Sequence, residues 1–455
     1  MKIVIYLGFV ILNLGFTNML IGIDASRANR DHKSGTEWYS YYLIRWLSKF
    51  DAKNQYILYT DKPLKGGLLN LASKDGIHGK KQEDDEIEFD KNGYQKIKSS
   101  HKNFKGKILK WPFNFLWTQG GLSLEMLFRK PDVLFVPAHA LPIIHPKNSI
   151  VTIHDVGFER YHRLYDREQI GPEAKNGRKL INFFVQLLTF GKFSANSADY
   201  LRWSTMFALK NAKKIITVSD YSKKEIMEIY GKFAGMPPLE EKIKVIHNGY
   251  NKNIYQDNKL GGKTDEVLDK YGIEKPYLLY VGRLEKKKNT PALIEAFAIM
   301  RDANKNIKHK LVLVGDANFG YDDVKYMVEE YLLEDDVIMP GWIEEEDMPF
   351  VYCGSDGFIF PSLYEGFGVP LLQAMSCGSP ITASRAASIP EVVGGAALLF
   401  DPQNVEEIAD SMAKIIRDKA LRDNLIRQGK ERVKNFSWEK CARETFEAIE
   451  NVVRP

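Results

Sequence analysis

Tyr277-Leu278-Leu279-Tyr280-Val281-Gly282-Arg283-Leu284-Glu285-Lys286-Lys287-Lys288-Asn289 sets a short apolar run directly against a glycine and a cluster of cations. The run reads as a strand. Gly282 lets the chain turn tightly off it, and a helical period opens near Thr290. In open α/β sheets ligands bind at the carboxyl ends of strands, so the donor fork of Arg283 and the point charge of Lys288 suit a diphosphate. Three consecutive lysines alone would read as a solvated cluster, but the strand, glycine and helix around them favour an anion site.

The same alternation runs outward in both directions. Downstream, buried runs at Leu311 to Val314, Val337 to Met339, Phe358 to Phe360 and Ala396 to Phe400 are separated by helical periods at about 290–304, 322–333, 366–377 and 405–434. Upstream, strands are predicted at Ile21 to Asp24, Tyr56 to Tyr59, Val133 to Val136, Ile150 to Ile153, Ile215 to Val218 and Val245 to Ile246. A first helix carries Tyr39, Tyr42, Leu43, Trp46, Leu47 and Phe50 at helical spacing. Short β-branched runs alternating with helices predict mainly parallel sheets, hence two Rossmann-like doubly wound domains, 19–250 and 251–434. A helix over 435–455, capped by Ser437, would follow. Within the first domain, 61–110 is lysine-rich with the acid run Glu83-Asp84-Asp85-Glu86 and reads as a solvated, mobile insertion. Between Gly157 and Ala212, Phe183, Phe184, Leu187, Leu188 and Phe190, then Leu201, Trp203 and Phe207, suggest helices.

Composition narrows the class. The 455 residues are 44% hydrophobic and 27% charged, enough for two ordinary cores. A net charge of +5, spread among many acids, gives no signal of nucleic-acid binding. Cys353, Cys377 and Cys441 lack metal or disulfide spacing and fit a reducing, cytoplasmic setting. Ile3 to Phe16 is nearly continuous apolar sequence behind Lys2, shorter than the ~20 residues of a membrane span. Residues 1–18 read as a mis-assigned start upstream of Met19, or else as an anchor or a packed extension.

Three further loops carry unusual residues at strand ends. Pro361-Ser362-Leu363-Tyr364-Glu365-Gly366-Phe367-Gly368 follows the strand ending at Phe360. Its glycines can expose backbone N–H groups at a helix start, and Glu365 projects at the tip. Gln373 lies about two turns further on, within reach of a ribose. His154 and Asp155 end the strand Ile150 to Ile153, where an ordinary buried structural histidine is the alternative. In the loop from Arg27 to Thr36, Gly35 can offer its N–H to a phosphate and Thr36 can cap the helix.

With these loops in place the chain resembles the family 4 glycosyltransferases of the GT-B fold, from Met19 to the C-terminus. The matching motifs are the His154-Asp155 pair, the G-R-L-x-x-x-K-N of Gly282 to Asn289, the segment around Glu365-Gly366-Phe367-Gly368, Ile246-His247-Asn248-Gly249, and Ser388-Ile389-Pro390-Glu391. The resemblance implies an α/β GT-B protein whose two domains face an interdomain cleft. Its implied reaction is retaining, metal-independent hexosyl transfer, mannosyl-like, from a GDP- or UDP-linked sugar to a saccharide or lipid-linked acceptor in glycan or cell-envelope polysaccharide synthesis. No cofactor or metal is implied. Arg283 and Lys288 would bind the donor diphosphate and stabilise the departing nucleotide. Glu365 would hold sugar hydroxyls, with the N–H groups of Gly366, Phe367 and Gly368 assisting. His154 would contact the donor sugar, and Gly35 would approach the diphosphate as the cleft closes. The last helix would cross back to the first domain, with Trp438 packed at the crossing.

Gln373 departs from the family's E-x7-E pattern. An amide keeps a hydrogen bond to ribose but loses charge assistance, about 1 kcal/mol of donor affinity. That departure keeps open a non-catalytic nucleotide-sugar-binding subunit of a polysaccharide assembly; a GT-B sugar-nucleotide epimerase is the rival among enzymes. Trp111, Phe113, Phe115 and Trp117, beside Lys105, Lys107 and Lys110, read as an amphipathic helix packed on the core. The alternative is an interfacial face that would hold the protein peripherally at the inner side of a membrane.

Overall fold

The computed structural model describes residues 18–73, 87–113, 115–161, 194–257, 262–316 and 321–453, with residues 179, 182, 185 and 186. Residues 1–17, the acid run 83–86 and the apolar positions Phe183, Phe184, Leu187, Leu188 and Phe190 lie outside them.

The first domain is built on β1 (Leu20–Asp24), β2 (Gln55–Thr60), β3 (Gln95–Lys96), β4 (Phe104–Ile108), β5 (Val133–Val136), β6 (Ser149–Ile153), β7 (Lys214–Thr217) and β8 (Ile243–Val245). Their order is β3-β4-β2-β1-β5-β6-β7-β8, parallel except for β3 against β4. The second domain has β9 (Tyr277–Val281), β10 (Lys310–Val314), β11 (Val337–Gly341), β12 (Gly357–Phe360), β13 (Ile381–Ser384) and β14 (Ala397–Phe400). These run in the order β11-β10-β9-β12-β13-β14, all parallel. In each sheet the first strand lies inside the order with later strands on both sides, so the chain reverses direction across the sheet at β1 and β9. The crevices that such a reversal opens lie at the carboxyl ends of those two strands. The helices that shape the cleft, its supports and the outer face of the first domain are α1 (Gly35–Phe50), α2 (Ser123–Phe128), α3 (Asp220–Tyr230), α4 (Thr290–Ala303), α5 (Val369–Cys377), α6 (Ile389–Val393) and α7 (Trp438–Asn451).

Several expectations are corrected. The described part of 61–110 is not a solvated excursion: β3 and β4 extend the sheet there, and Leu64, Leu68, Leu71, Gln95 and Phe104 are buried beneath the lysines. Lysine stems over scattered apolar positions conceal such an edge in sequence. Ile381-Thr382-Ala383-Ser384, absent from the strands predicted from sequence, is a fully buried strand because helices cover both faces of a parallel sheet. The helix expected over 405–434 is two, Val405–Arg417 and Lys419–Arg432, because Asp418 accepts the Leu421 N–H at 2.9 Å and starts a new cap. Ser34, not Thr36, caps α1, with Glu37 completing a capping box. Residues 110–113 are not helical: Trp111 donates its indole N–H to Phe115 O at 3.0 Å, and a π-helical turn begins only at Thr118.

The expected crossing of the last helix is present. Ser437 accepts the Lys440 N–H at 3.1 Å, and Trp438 stacks on Tyr42 of α1 with centroids 5.1 Å apart. Phe446 meets Phe50 edge-on, and Lys213 and Lys244 donate to carbonyls of Val452 and Glu444. Gly249, in the turn between domains, must be glycine: a Cβ there would stand 2.0 Å from the Trp438 nitrogen. Among the described residues no helix is long and apolar enough to cross a membrane.

Candidate active site

Four strand ends converge. The loops after β9 and β12 are joined where Leu363 N–H donates to Lys287 O at 3.0 Å. Within that joint Lys288 Nζ donates to Glu365 Oε1 at 2.5 Å, and Ser362 donates to the same oxygen at 2.7 Å. Both Lys288 and Glu365 are largely shielded from solvent, so this pair is better preserved than a surface one. Asn289, in the left-handed region at φ 59°, turns the chain into α4.

Facing these loops is the first domain. Arg283 reaches across to donate to Ser34 Oγ at 3.2 Å, beside Gly35 at the start of α1. Gly366 lies so close to β6 that a Cβ would meet His154 O at 2.6 Å and Asp155 Cβ at 3.0 Å. Ser219 and Ser222 at the start of α3 donate to Gly366 O at 2.8 and 3.4 Å, and Ser222 also to His154 O. Ser388 donates to Glu365 O and Phe367 O, and Gly368 takes φ +98° to open α5. The loops carrying the expected residues Gly35, His154, Arg283, Lys288, Glu365, Gly366, Phe367 and Gly368 therefore meet where the two domains face, with Gly282 at the turn off β9.

His154 donates from Nε2 to Pro137 O at 3.1 Å, since a carbonyl can only accept, so the neutral ring keeps a lone pair on Nδ1. Burial, with His139 close by, pushes its pKa down to about 4, so near neutral pH it can accept a hydroxyl but cannot offer positive charge. The unfolded chain takes up this proton below 6.5 and the folded chain only below about 4, so stability present above pH 6.5 is lost as pH falls toward 4. Relative to His154→Asn, the natural chain should lose about 2 kcal/mol of stability between pH 7 and pH 4.5, read by denaturant unfolding at both pH values. A difference independent of pH would contradict it.

Two groups escaped the sequence reading. Lys287 stands opposite Asp155: burial works against its charge, but Asp155, Glu365 and Glu285 more than offset that and hold its ammonium above the usual lysine value. Burial likewise opposes the charge on Asp155, and Lys287, with His139 and the Gly157 N–H, holds its carboxyl below the usual range. His139 donates to Asp155 O at 2.9 Å and lies 5.9 Å from the His154 ring. Only the flanking strand Val133–Val136 could have pointed to it. Gln373 is half-buried, and the Tyr352 hydroxyl donates to its Oε1 at 3.1 Å, a bond that leaves the amide N–H groups uncommitted.

Glu391 explains the Ser388-Ile389-Pro390-Glu391 motif. Its carboxylate accepts the N–H groups of Asp220 and Tyr221 at the start of α3, and His247 Nε2 lies 2.9 Å away. A residue of the second domain thus caps a helix of the first. Among the described residues, Asp220, His247 and Glu391 form one group with metal-ligand side chains in mutual reach. Glu391 there is already engaged by backbone, as a latch between domains.

Residues 264–432 match the family described as glycosyl transferases group 1. O-antigen chain mannosyltransferase B of Escherichia coli is 29% identical over 345 residues, covering 72% of this chain and 82% of that protein. Sucrose-phosphate synthase of Thermosynechococcus elongatus superposes with a TM-score of 0.64 at 18% identity, covering 95% of this chain and 99% of that one. Anabaena HepE in complex with UDP-glucose gives 0.64 at 17%, covering 95% and 100%. The fold is GT-B. Over its second domain the chain is similar to glycosyltransferases of the group 1 type.

Proposed function

We propose that this chain transfers a hexose, mannose in the first instance, from a nucleotide diphosphate sugar to a saccharide or lipid-linked saccharide during glycan or cell-envelope polysaccharide synthesis. The observation that carries the reading is the convergence of Arg283, Lys288 and Glu365 from the second domain on Ser34, Gly35 and His154 of the first. Cations at the leaving group stabilise charge that develops as the bond to phosphate breaks, which lets the reaction proceed without a divalent ion. Neutral His154 and anionic Glu365 suit sugar hydroxyls, whereas Arg283 and Lys288 suit phosphate oxygens. In the retaining course the acceptor oxygen bonds to the anomeric carbon on the face from which the diphosphate leaves with the bonding pair. The acceptor's proton then passes to a leaving phosphate oxygen. Mannose is favoured by the named mannosyltransferase among the relatives, while the UDP-glucose complex of HepE keeps UDP sugars in the comparison.

Melting curves of the whole chain with GDP-mannose, GDP, UDP-glucose and UDP test the donor. At a hundredfold excess over Kd a ligand stabilises by about 2.7 kcal/mol, which should raise Tm by roughly 5 °C or more. GDP-mannose and GDP should both produce the rise, and only GDP-mannose should then release nucleotide. A folded chain indifferent to all four would end the nucleotide-sugar reading. Tight donor binding with no turnover against any acceptor would instead favour the binding subunit, the reading that Gln373 in place of the motif glutamate keeps open.

A further inference from the structure

The short helix α2 has two unlike faces. Ser123 and Met126 are buried, while Leu124, Leu127 and Phe128, at i, i+3 and i+4, stand 50%, 51% and 77% exposed. Ile143, also exposed, lies near the same turn: its N–H donates to Gln119 Oε1 at 3.1 Å and the N–H of Ile144 reaches Ser123 Oγ on the inner side of α2. Upstream, Trp111, Phe113 and Phe115 form a chain of rings 5.5 and 5.4 Å apart. The Trp111 ring covers Gly120, where a Cβ would lie 2.1 Å from it, so these rings rest on the turn that leads into α2. Three exposed apolar side chains on one face of a short helix, with exposed Phe113 nearby, mark a place of contact.

The charges around it have one dominant sign. Lys110, Arg129, Lys130 and Lys147 are exposed at its rim, whereas Glu125 of α2 is sequestered with Lys107 at 2.5 Å. The start of the domain lies at the same edge: Leu20 N–H donates to Asp132 Oδ2 at 2.7 Å, and Asp132 N–H to Leu20 O at 2.9 Å. Asp132 lies four residues along the chain from Phe128, so β1 begins close to this end of α2. We infer that this face, led by Leu124, Leu127 and Phe128 and rimmed by Arg129 and Lys130, docks the protein on an anionic lipid surface. Apolar side chains enter the boundary between headgroups and acyl chains while the cations meet lipid phosphates. Of the aromatic run weighed as an interfacial face, the rings and Lys110 adjoin this surface but Lys105 and Lys107 do not serve it, since Lys105 pairs with Asp90 and Lys107 with Glu125.

Flotation of the whole chain with phosphatidylcholine vesicles, with and without phosphatidylglycerol, tests this. The natural chain should float only with the anionic vesicles. The triple variant Leu124→Ser, Leu127→Ser, Phe128→Ser should bind them about tenfold less or worse, and Arg129→Glu with Lys130→Glu should do the same. A chain beginning at Met19 should bind more weakly, with the triple substitution still lowering what remains. None of these positions belongs to the site described above, so an unchanged thermal unfolding temperature certifies the variants as folded. The inference thereby stands or falls apart from sugar transfer. It is overturned if the natural chain stays in solution, if the triple variant floats like its parent, or if removing residues 1–17 alone abolishes binding. A triple variant that turns a dimer into a monomer in light scattering, with vesicles ignored, would assign the face to a second copy and overturn it equally.

Discussion

Lys288→Ala should lower nucleotide release from the donor sugar by about 10²- to 10³-fold, the loss expected on removal of one preorganised charge-stabilising group. Lys288 is fixed by Glu365 at 2.5 Å in the loop that also carries Arg283, so its charge is positioned before any substrate arrives. Preorganisation is what gives such a group its effect in the transition state. Neighbouring Lys287 cannot take over, because it faces Asp155 across the cleft. The measurement is steady-state release of nucleoside diphosphate, with kcat and KM separated. A fall mainly in kcat indicates stabilisation of the departing diphosphate, whereas a rise mainly in KM would reduce Lys288 to ground-state binding. Stability should fall as well, by about 1–3 kcal/mol, because Glu365 is left shielded from solvent without its charged partner. Glu365→Gln is the companion: if Lys288 served only to hold Glu365, both variants would lose turnover equally. A Lys288→Ala enzyme within about threefold of its parent would refute the role.

Gly366→Ala should cost at least about 10²-fold in turnover and about 1–3 kcal/mol in stability. The added methyl would stand 2.6 Å from His154 O and 3.0 Å from Asp155 Cβ, and a backbone carbonyl cannot rotate out of the way. The two domains would have to separate by a fraction of an ångström to about 1 Å, and such misplacement at reacting groups is enough for the rate loss. Ser219 and Ser222 would loosen from Gly366 O at the same time. Turnover and thermal unfolding of the same variant read both effects. Gly35→Ala is the contrasting control, because a Cβ there meets nothing within 4 Å. It should leave stability intact, and a raised KM for the donor would mean that a ligand, rather than the fold, requires glycine at position 35. Wild-type rates in Gly366→Ala would show that the close approach to His154 does not matter to chemistry.

Much of this cleft is legible in the chain because strand ends are local events. An apolar run, a glycine and a helical period within about fifteen residues identify Gly282 to Asn289 and Glu365 to Gly368 as turns off buried strands. His139 was not legible, since one histidine after Val133–Val136 has no local signal separating it from a structural one. Glu391 sits in a recognisable motif, but its partners Asp220 and His247 are more than 140 residues away in the chain. Ile381-Thr382-Ala383-Ser384 fails as a strand in sequence because its burial comes from helices on both sides, not from its own hydrophobicity.

Sequence by itself determined the alternation of strands and helices, the two parallel-sheet domains and the loops that meet at their facing edges. Burial of short β-branched runs and the 3.6-residue period act over a few residues and are written in order along the chain. Only the tertiary structure decided that Lys288 faces Glu365 while Lys287 faces Asp155, that Tyr352 bonds Gln373, and that Leu124, Leu127 and Phe128 stand exposed together. Neighbouring lysines of identical chemistry differ only in direction, and direction is set where two domains pack. Charge pairing and exposure depend on distances between segments far apart in the chain, which no local pattern encodes.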